Sequence, residues 1–514
     1  MAHWNRGRSL RFGRKSAAVL LIACVAGAAG AAGGGPARAA AAGSASAVRA
    51  AAGFRDGGSG NWPAYLNGPA HWSYSPNQRA ITPADVGRLR VRWRFRGRVR
   101  VRRGQPRPGF LASPVVVGGA IYIGADTGWF YKISVRTGAV LARRFIGYQP
   151  PKTCAPRGFV ATATVAVDRA TGIRTVYVDA ADGYLYALRA TNLSPLWRSL
   201  IARPSRTVSD YFQWSSPTVA GGRIYVGVSS NCDHPLVPGG LVSFDQATGA
   251  RLAGFTTLPP GILGGSVWSS AAVGPTGDVY VTTGNPAPGT FEPAYSDSIV
   301  RLDPQTLRPL AAFAVPSAQV IRDGDFGASA TMFGRYVGAC DKNGIFYALT
   351  DVTLRLVWSR RVGARAGNGV STCAAAAVYD GRSLYLSGDG ITIRGRRYRG
   401  SIQRVDPATG GLIWATGLPN GVIGTPTLDG AGVLAVGTYD YSHTPNAIYL
   451  VDAATGRILR TLSRGSENFA QAVFADGELF TANGTGLTAW GLRSRRASRP
   501  GRTEPGRAGP DGNG

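Results

Sequence analysis

Residues Gly264–Gly289 read GGSVWSSAAVGPTGDVYVTTGNPAPG and contain one copy of a unit that recurs along the chain. An apolar run after Trp268 leads into a turn that ends at Gly277, and alternating β-branched and aromatic residues follow that turn. Glycine tolerates the positive φ that tight turns need, and β-branched and aromatic residues suit a half-buried strand. The stretch therefore predicts a β-hairpin.

The same pattern returns along the chain at a spacing of roughly 35 to 55 residues, which is typical of propeller blades. Its eight occurrences are marked by Ser113-Pro114, Thr164-Val165, Ser216-Pro217, Ser270-Ala271, Ala328-Ser329, Ala375-Ala376, Thr425-Pro426 and Gln471-Ala472. Several units end in Asp-x-x-Thr-Gly, as in Asp245–Gly249, Asp406–Gly410 and Asp452–Gly456. The aspartate can bond its own downstream backbone and the glycine can adopt a left-handed conformation, so each such segment predicts a tight outer turn.

The eighth unit, which ends near Trp490, is one strand short. Residues Arg88–Arg96 alternate with period two between apolar residues and arginine, which predicts a strand with one solvated face. We expect this strand to complete the eighth blade and close the ring. The predicted fold is all-β, an eight-bladed β-propeller of four-stranded antiparallel blades over residues 61–492, with its ring closed by an N-terminal strand.

The composition supports a globular, turn-rich chain. Of 514 residues, 44% are hydrophobic, 17% are charged and 72 are glycine. The net charge of +29 is at first sight typical of a nucleic-acid-binding protein. However, the arginines are dispersed and aromatic residues do not interleave with basic clusters, which argues against nucleic-acid binding. The arginine face of Arg88–Arg96 is interpreted as solvated, and contact with an anionic polymer is the alternative.

The N-terminus has the pattern of a secretory signal peptide. Basic residues precede an apolar segment, and Ala37-Arg38-Ala39 offers a cleavage site, which predicts a signal peptide at 1–39 and a secreted or extracytoplasmic protein. Leu21–Cys24 resembles a lipobox, so a lipid anchor on Cys24 is the alternative. No later segment is apolar for long enough to form a transmembrane helix. A disordered linker is expected at 40–60 and a disordered basic tail at 493–514.

After export, the four remaining cysteines are expected to be in an oxidising compartment, where disulfides form. Cys154, Cys232, Cys340 and Cys373 allow two disulfides in three connectivities, and the pairing of Cys154 with Cys232 and of Cys340 with Cys373 is our hypothesis. The chain has no C-x-x-C-H for covalent haem. It has no C-x-x-C either, which argues against zinc.

The repeat itself resembles that of pyrroloquinoline quinone (PQQ) enzymes. The resemblance is carried by Asp182–Leu188, which reads DGYLYAL, by the Asp-x-x-Thr-Gly turns, and by tryptophans such as Trp197 and Trp414 that end a unit. It covers about residues 61–492 and implies an eight-bladed propeller in which those tryptophans pack between blades. Non-catalytic scaffold propellers of the outer-membrane assembly machinery use the same repeat, so the repeat alone does not imply catalysis.

Four segments resemble the active site of PQQ alcohol dehydrogenases, most closely the polyvinyl alcohol dehydrogenase-like branch. They are Gly264–Trp268 (GGSVW), Thr283–Pro288 (TGNPAP), Asp323–Ala328 (DGDFGA) and Asp341–Leu349 (DKNGIFYAL). The resemblance implies that Trp268 lies beneath the quinone, that Asn285 binds calcium, and that Asp325 is the catalytic base and a calcium ligand. It also implies that Lys342 is a second catalytic residue, which bonds the quinone oxygen, and that its neighbour Asn343 is a cofactor contact. Calcium prefers several oxygen ligands, so amide and carboxylate groups from different loops suit it.

Three departures from the family pattern stand out. Asp233 replaces the expected glutamate ligand of calcium and reaches one methylene less. The vicinal cysteine pair that caps the quinone in many members is absent, and only Cys154 and Arg157, a further candidate cofactor contact, occupy that region. Gly327 occupies the position at which a second acid would indicate a lanthanide in place of calcium, so the resemblance does not support a lanthanide site.

The sequence therefore predicts a secreted dehydrogenase that depends on PQQ and calcium and oxidises a small or polymeric alcohol by hydride transfer to the quinone. Because no haem site is present, electrons must leave to a separate acceptor. The alternative is a non-catalytic propeller that binds protein or a cell-surface polymer. A hydrolytic propeller would need facing carboxylates, and the loops contain few acids.

Overall fold

The structure is a computed structural model that describes residues 60–96, 109–147, 149, 158–204, 210–233, 235–287, 295–365, 373–440, 445–462 and 465–492. The predicted signal peptide, Cys24, nearly all of the linker, and the basic tail lie outside these residues. Within them, no helix has both the length and the apolar character needed to cross a membrane.

In the described residues, 33 strands form eight sheets. Two strands precede the first sheet, β1 (Tyr74–Ser75) and β2 (Leu89–Phe95). Blade 1 contains β3 (Val115–Val117), β4 (Ala120–Gly124), β5 (Trp129–Ser134) and β6 (Val140–Phe145). Blade 2 contains β7 (Thr164–Val167), β8 (Arg174–Asp179), β9 (Tyr184–Arg189) and β10 (Pro195–Leu200). Blade 3 contains β11 (Thr218–Ala220), β12 (Arg223–Val228), β13 (Gly240–Asp245) and β14 (Arg251–Thr256).

The remaining blades follow in chain order. Blade 4 contains β15 (Ala272–Val273), β16 (Val279–Thr282), β17 (Ser298–Leu302) and β18 (Pro309–Ala314). Blade 5 contains β19 (Thr331–Phe333), β20 (Tyr336–Cys340), β21 (Ile345–Thr350) and β22 (Leu356–Arg361). Blade 6 contains β23 (Val378–Tyr379), β24 (Leu384–Ile393), β25 (Arg396–Val405) and β26 (Leu412–Leu418). Blade 7 contains β27 (Thr427–Asp429), β28 (Val433–Gly437), β29 (Ile448–Asp452) and β30 (Ile458–Leu462). Blade 8 contains β31 (Val473–Ala475), β32 (Glu478–Asn483) and β33 (Gly486–Leu492).

The protein is an all-β, eight-bladed propeller, as predicted. Within each blade, consecutive strands pair antiparallel, and the first strand lies nearest the axis. β2 pairs antiparallel with β33 and is the outermost strand of blade 8, while β1 pairs parallel with β27 of blade 7. Over the part of the chain that the structure describes, three short 3-10 helices lie at Tyr65–Asn67, Val86–Arg88 and Ser317–Gln319.

The hairpin predicted from Gly264–Gly289 is confirmed. Ala272 pairs with Tyr280 and Val273 with Val279, and Gly277 in the turn has a φ of 94°. All four paired side chains are buried. The hydrophobic core is divided into clusters between neighbouring blades, such as the one that joins Val115 and Val165 of blades 1 and 2.

The predicted outer turns and interblade tryptophans are also present. Asp406 Oδ1 accepts hydrogen bonds from the backbone N–H groups of Ala408 and Thr409, and Gly410 has a φ of 69°. The ring of Trp358 from the preceding blade lies against Gly410, and its Nε1 donates to Pro407 O at 3.0 Å. Trp197 and Trp414 lie in the same way against Gly249 and Gly456. These contacts fix the angle between adjacent blades.

Hydroxyl groups join the blades around the axis. At the start of a first strand, a backbone N–H donates to a hydroxyl of the next blade at 2.8 to 3.0 Å. The donor and acceptor pairs are Ser113 to Thr162, Thr162 to Ser216, Ser216 to Ser270, Ser270 to Ser329, Ala376 to Thr425 and Gln471 to Ser113. Blade 6 has Ala376 at this position and supplies no hydroxyl. The phenol of Tyr65 hydrogen-bonds Ser329 and Thr425, the neighbours on either side.

Tyr65 belongs to a lead-in segment, residues 60–78, that crosses the first strands. Its backbone carbonyls accept hydrogen bonds from the first strands of six blades, at Val116, Val165, Val273, Met332, Tyr379 and Leu428. Since each bond goes to a different blade, the lead-in holds the blades together in addition to their lateral packing.

One predicted disulfide, Cys340–Cys373, is confirmed and joins the end of β20 in blade 5 to the segment before blade 6. Cys154 lies outside the described residues, so its pairing with Cys232 stays a prediction.

Candidate active site

The candidate site lies at one face of the propeller, where the second strand of each blade ends. Trp268 precedes β15 and Asn285 follows β16, while Asp325 precedes β19 and Lys342 follows β20. In an antiparallel blade, the start of the first strand and the end of the second lie at the same edge. Residues from blades 4 and 5 that are far apart in sequence therefore meet at this face.

A buried ion pair forms the centre of the site. Lys342 Nζ donates to Asp325 Oδ2 at 2.8 Å and lies 3.6 Å from Asp323 Oδ1. Asp325 is only 4% exposed, and among the described residues its Oδ1 has no hydrogen-bond partner. A buried carboxylate oxygen without a donor is costly. It is therefore an atom at which a metal ion or a substrate hydroxyl would be stabilised.

Burial and neighbouring charges set the protonation of this pair. Burial raises the pKa of Asp325 to about 6; the Lys342 ammonium opposes the rise, and the charges of Asp323 and Asp233 add to it. Burial lowers the pKa of Lys342, but the attraction of Asp325 and Asp323 outweighs burial and holds that pKa above its ordinary value. At neutral pH, Asp325 is therefore ionised and a stronger base than an exposed aspartate.

Trp268 presents an aromatic ring beside the ion pair. Lys342 Nζ lies 5.7 Å from the centre of the ring, which is partly exposed. A Cβ atom added to Gly327 would lie 2.8 Å from Trp268 Cη2 and 3.1 Å from Ala374 Cβ. The ring therefore rests on a position that only glycine can occupy without displacing it.

Asp233 is held in the same neighbourhood by Ser230, which in turn bonds Ser266. Ser230 Oγ donates to Asp233 Oδ1 and lies 3.0 Å from Ser266 Oγ, and the Ser230 N–H donates to Ser266 Oγ at 3.1 Å. Asp233 has a φ of 57°, a left-handed conformation that aspartate tolerates better than most residues. Its charge contributes to the raised pKa of Asp325, so the structure brings these two predicted calcium ligands together.

Asn285 lies at the rim of the same loops. It is half-buried, its Nδ2 donates to Pro286 O at 3.1 Å, and its backbone carbonyl accepts a hydrogen bond from Gly265 N at 2.8 Å. The described residues contain no cluster of three or more His, Cys, Asp or Glu side chains with the geometry of a metal site. A calcium ion here would depend on two carboxylates, one amide and ligands from the cofactor.

The other two predicted contacts differ from this group. Asn343 is 1% exposed, and its Nδ2 donates to Tyr347 Oη at 2.8 Å while its Oδ1 accepts from Ile345 N. Its Nδ2 also donates to Gln319 O, in the segment before blade 5, at 3.4 Å, and a role in cofactor binding stays a prediction. Arg157 lies outside the described residues.

Sequence reasoning missed three features of the site. Ser266 bonds Ser230, the residue that holds Asp233, across a separation of 36 residues, which no local motif indicates. The buried carboxyl of Asp341 hydrogen-bonds Asp297, and burial raises its pKa to about 7. Trp214 occupies in blade 3 the position equivalent to that of Trp268 in blade 4. Its Nε1 donates to Ser230 O at 3.2 Å. Alignment of Trp214-Ser215-Ser216 with Trp268-Ser269-Ser270 would have found it.

Comparison with known families agrees with this architecture. Residues 62–306 match the model of the glucose/ethanol/alcohol dehydrogenase β-propeller domain, and residues 342–499 match that of outer membrane protein assembly factor BamB. Both are families of PQQ-type repeats. The chain is a PQQ-repeat β-propeller. These matches do not confirm the narrower assignment to the polyvinyl alcohol dehydrogenase-like branch.

Solved structures show the same fold for this PQQ-repeat propeller at low sequence identity. Quinohemoprotein alcohol dehydrogenase from Comamonas testosteroni is 18% identical, with a TM-score of 0.65 over 88% of this chain and 85% of that chain. A europium-containing methanol dehydrogenase is 17% identical, with a TM-score of 0.62 over 85% of this chain and 90% of that chain. BamB from Moraxella catarrhalis is 13% identical, with a TM-score of 0.53 over 79% of this chain and 100% of that chain. No curated protein matches the sequence significantly.

Proposed function

We propose that this PQQ-repeat propeller is a PQQ- and calcium-dependent dehydrogenase that oxidises an alcohol. The observation that carries the proposal is the group of Asp325, Lys342 and Trp268: a buried base with one unpartnered oxygen, a cation and an aromatic platform. The predicted domain limits, a propeller at 61–492 after a signal peptide, belong to the same proposal, as do an extracytoplasmic location and a separate electron acceptor.

The residues present fit the implied cofactor and metal. Asp325 Oδ1 lacks a donor among the described residues, and the charges of Asp233 and Asp323 raise the Asp325 pKa, so a cation between the carboxylates would relieve the repulsion. Asp325, Asp233 and the Asn285 amide would hold calcium, and Trp268 would stack against the quinone. When bound, PQQ with its calcium supplies an electrophilic carbonyl that accepts the hydride.

The chain's own residues supply binding and proton transfer. Asp325 Oδ1 takes the hydroxyl proton of the alcohol, while Lys342 holds Oδ2 and so fixes the direction in which Oδ1 points. Lys342 would also contact an oxygen of the quinone. Because the pair is buried, water competes weakly for these hydrogen bonds.

Calorimetric titration tests the cofactor assignment. PQQ with calcium is expected to bind the wild-type protein and to lose affinity in Trp268→Ala. Dye-linked alcohol oxidation then tests the base: Asp325→Asn is expected to lower kcat by about 10² to 10⁴. The matched control is Asp476→Asn, an exposed position with a φ of 47° that asparagine tolerates. Equal losses in both variants would refute the role of Asp325.

The second candidate is a non-catalytic scaffold, which the match of residues 342–499 to the BamB model favours. In that case Trp268 and Asp325 serve packing alone, and the partner is a protein or a cell-surface polymer. Absence of PQQ binding at any calcium concentration would favour this candidate.

A further inference from the structure

Blade 6 carries a hairpin arm that no other described blade has. The second and third strands of the other blades have four to seven residues, whereas β24 and β25 have ten each. The extra length, residues 389–400, forms a regular ladder in which Ile391 pairs with Tyr398 and Thr392 with Arg397. We call these residues the blade 6 arm.

The arm is rigid by construction. Its two-residue turn has φ values of 49° at Arg394 and 78° at Gly395, the signs of a type I′ turn, which matches the twist of the strands it joins. The ring of Tyr398 covers Gly417 on β26, where a Cβ atom would lie 2.2 Å from the ring. The arm therefore holds a fixed direction.

The base of the arm is connected to the candidate active site. Asp389 O accepts from Ala364 N at 2.7 Å, and the backbone of Gly363 and Ala364 packs on Gly344, two residues after Lys342. On the other side, Asp389 Oδ1 accepts from Val422 N at 2.8 Å. Since β24 ends at the same face as β20, the arm rises from the rim of the site.

The surface of the arm is strongly basic. Arg394, Arg396, Arg397 and Arg399 are all exposed, and among the described residues none of them has a carboxylate within the 4.0 Å of a salt bridge. Arg397 and Arg399 share one face and are about 6.6 Å apart along the strand, with Thr392 beside Arg397. A guanidinium binds carboxylates with paired hydrogen bonds.

The arm fits a chain of negative charges better than a protein surface. Protein interfaces have an apolar centre rich in exposed aromatic residues. The arm instead offers a narrow line of arginines, and Tyr398 is already packed on Gly417. We infer that the arm binds an anionic polymer that carries hydroxyl groups, such as a polyuronate, and guides it to the site. This inference rests on the proposed function for the step of oxidation but not for binding.

Binding is tested with the full-length protein and alginate oligomers, with dextran of equal length as the neutral control. The variant Arg397→Gln/Arg399→Gln is expected to bind alginate about tenfold more weakly at low salt, and the difference should shrink as salt rises. The charge-matched control is Arg308→Gln/Arg355→Gln, two exposed arginines in outer turns of blades 4 and 5. Equal losses in the two double variants, or equal affinity for alginate and dextran, would overturn the inference.

Kinetics separate the arm from the chemistry. With alginate as substrate, the arm variant is expected to raise KM about tenfold and to leave kcat, and the oxidation of a small neutral alcohol, unchanged. If no alcohol is oxidised and PQQ does not bind, the proposed function is wrong. The alginate binding experiment still tests whether the blade 6 arm binds an anionic polymer. If the arm variant keeps its alginate affinity and slows only the reduction of an acidic acceptor protein, the arm docks that protein and the inference is wrong.

Discussion

At the scale of single residues, the site depends on the missing side chain of Gly327 as much as on the ion pair of Asp325 and Lys342. Asp325 and Lys342 form a buried pair across 17 residues of sequence. Gly327, two residues after Asp325, leaves the space in which Trp268 lies. The proposed base and the glycine against which Trp268 packs therefore belong to one short segment.

The substitution Gly327→Ala tests this contact. A Cβ atom 2.8 Å from Trp268 must displace the ring, so we expect the free energy of unfolding to fall by about 1 to 3 kcal/mol. PQQ affinity is expected to fall together with it. Denaturant unfolding and calorimetry measure the two effects.

Gly87→Ala is the matched control, since nothing lies within 4 Å of the added Cβ and its φ is not left-handed. Unchanged stability and unchanged PQQ affinity in Gly327→Ala would contradict the proposed contact.

At the scale of elements, the contact between an interblade tryptophan and a turn glycine joins one blade to the next. Two features of Gly410 disfavour a side chain: its φ is 69°, and an added Cβ atom would lie 2.6 Å from Trp358 Cε3. Gly410→Ala is therefore expected to destabilise the protein by more than the roughly 1 to 2 kcal/mol of a left-handed alanine alone.

Gly334→Ala separates these two costs. Gly334 has a φ of 60° and no atom within 4 Å of its Cβ position, so it reports the backbone cost without the tryptophan. The difference between the two variants in denaturant unfolding measures the Trp358 contact. If both variants lose the same stability, that contact adds nothing.

The lead-in is a second element that joins blades, and Tyr65 is its most specific contact. Its phenol bonds Ser329 and Thr425 where blade 6 supplies no hydroxyl. Tyr65→Phe is expected to lower the free energy of unfolding by about 1 kcal/mol. Tyr336→Phe, which removes a phenol with no hydrogen bond among the described residues, should leave thermal stability unchanged, and an equal loss in both would argue against the role of Tyr65.

At the scale of the whole molecule, buried titratable groups make stability depend on pH in two opposed ways. Burial raises the pKa of Asp429 to about 7, so the folded state keeps a proton that the unfolded state loses near pH 4. Its contribution is complete below about pH 4 and is lost as pH rises to about 7. Burial lowers the pKa of His71 to about 4, so its contribution is lost as pH falls from about 6.5 to about 4.

Two variants test these signs against each other. In the wild-type protein, ionisation of Asp429 is expected to lower the free energy of unfolding by on the order of 4 kcal/mol as pH rises from 4 to 7. In Asp429→Asn this decrease should be absent. In the wild-type protein, protonation linked to His71 is expected to lower the free energy of unfolding by on the order of 3 kcal/mol as pH falls from 6.5 to 4. In His71→Gln this decrease should be absent. Denaturant unfolding across this pH range measures both, and slopes that change in the same direction would contradict the assignment.

The repeat, the hairpins, the outer turns and the interblade tryptophans could be predicted from the sequence because their causes are local. An aspartate that bonds a backbone two or three residues ahead, a glycine with positive φ and a period-two apolar pattern all act within a few residues. The pairing of Cys340 with Cys373 was predicted from sequence, and the structure confirms it.

Only the tertiary structure brought Asp325 to Lys342, Ser230 to Ser266 and Tyr65 into the gap at Ala376. These contacts arise when the ring brings strand ends of different blades to one face and threads the lead-in across them, and no pattern within one repeat encodes that proximity. The structure likewise showed that the Asn343 side chain bonds Tyr347 and Gln319 and that blade 6 carries a basic arm. The sequence thus determined the blade, since its stabilising contacts are short-range, while the assembled ring decided the site, since its charges and donors come from separate blades.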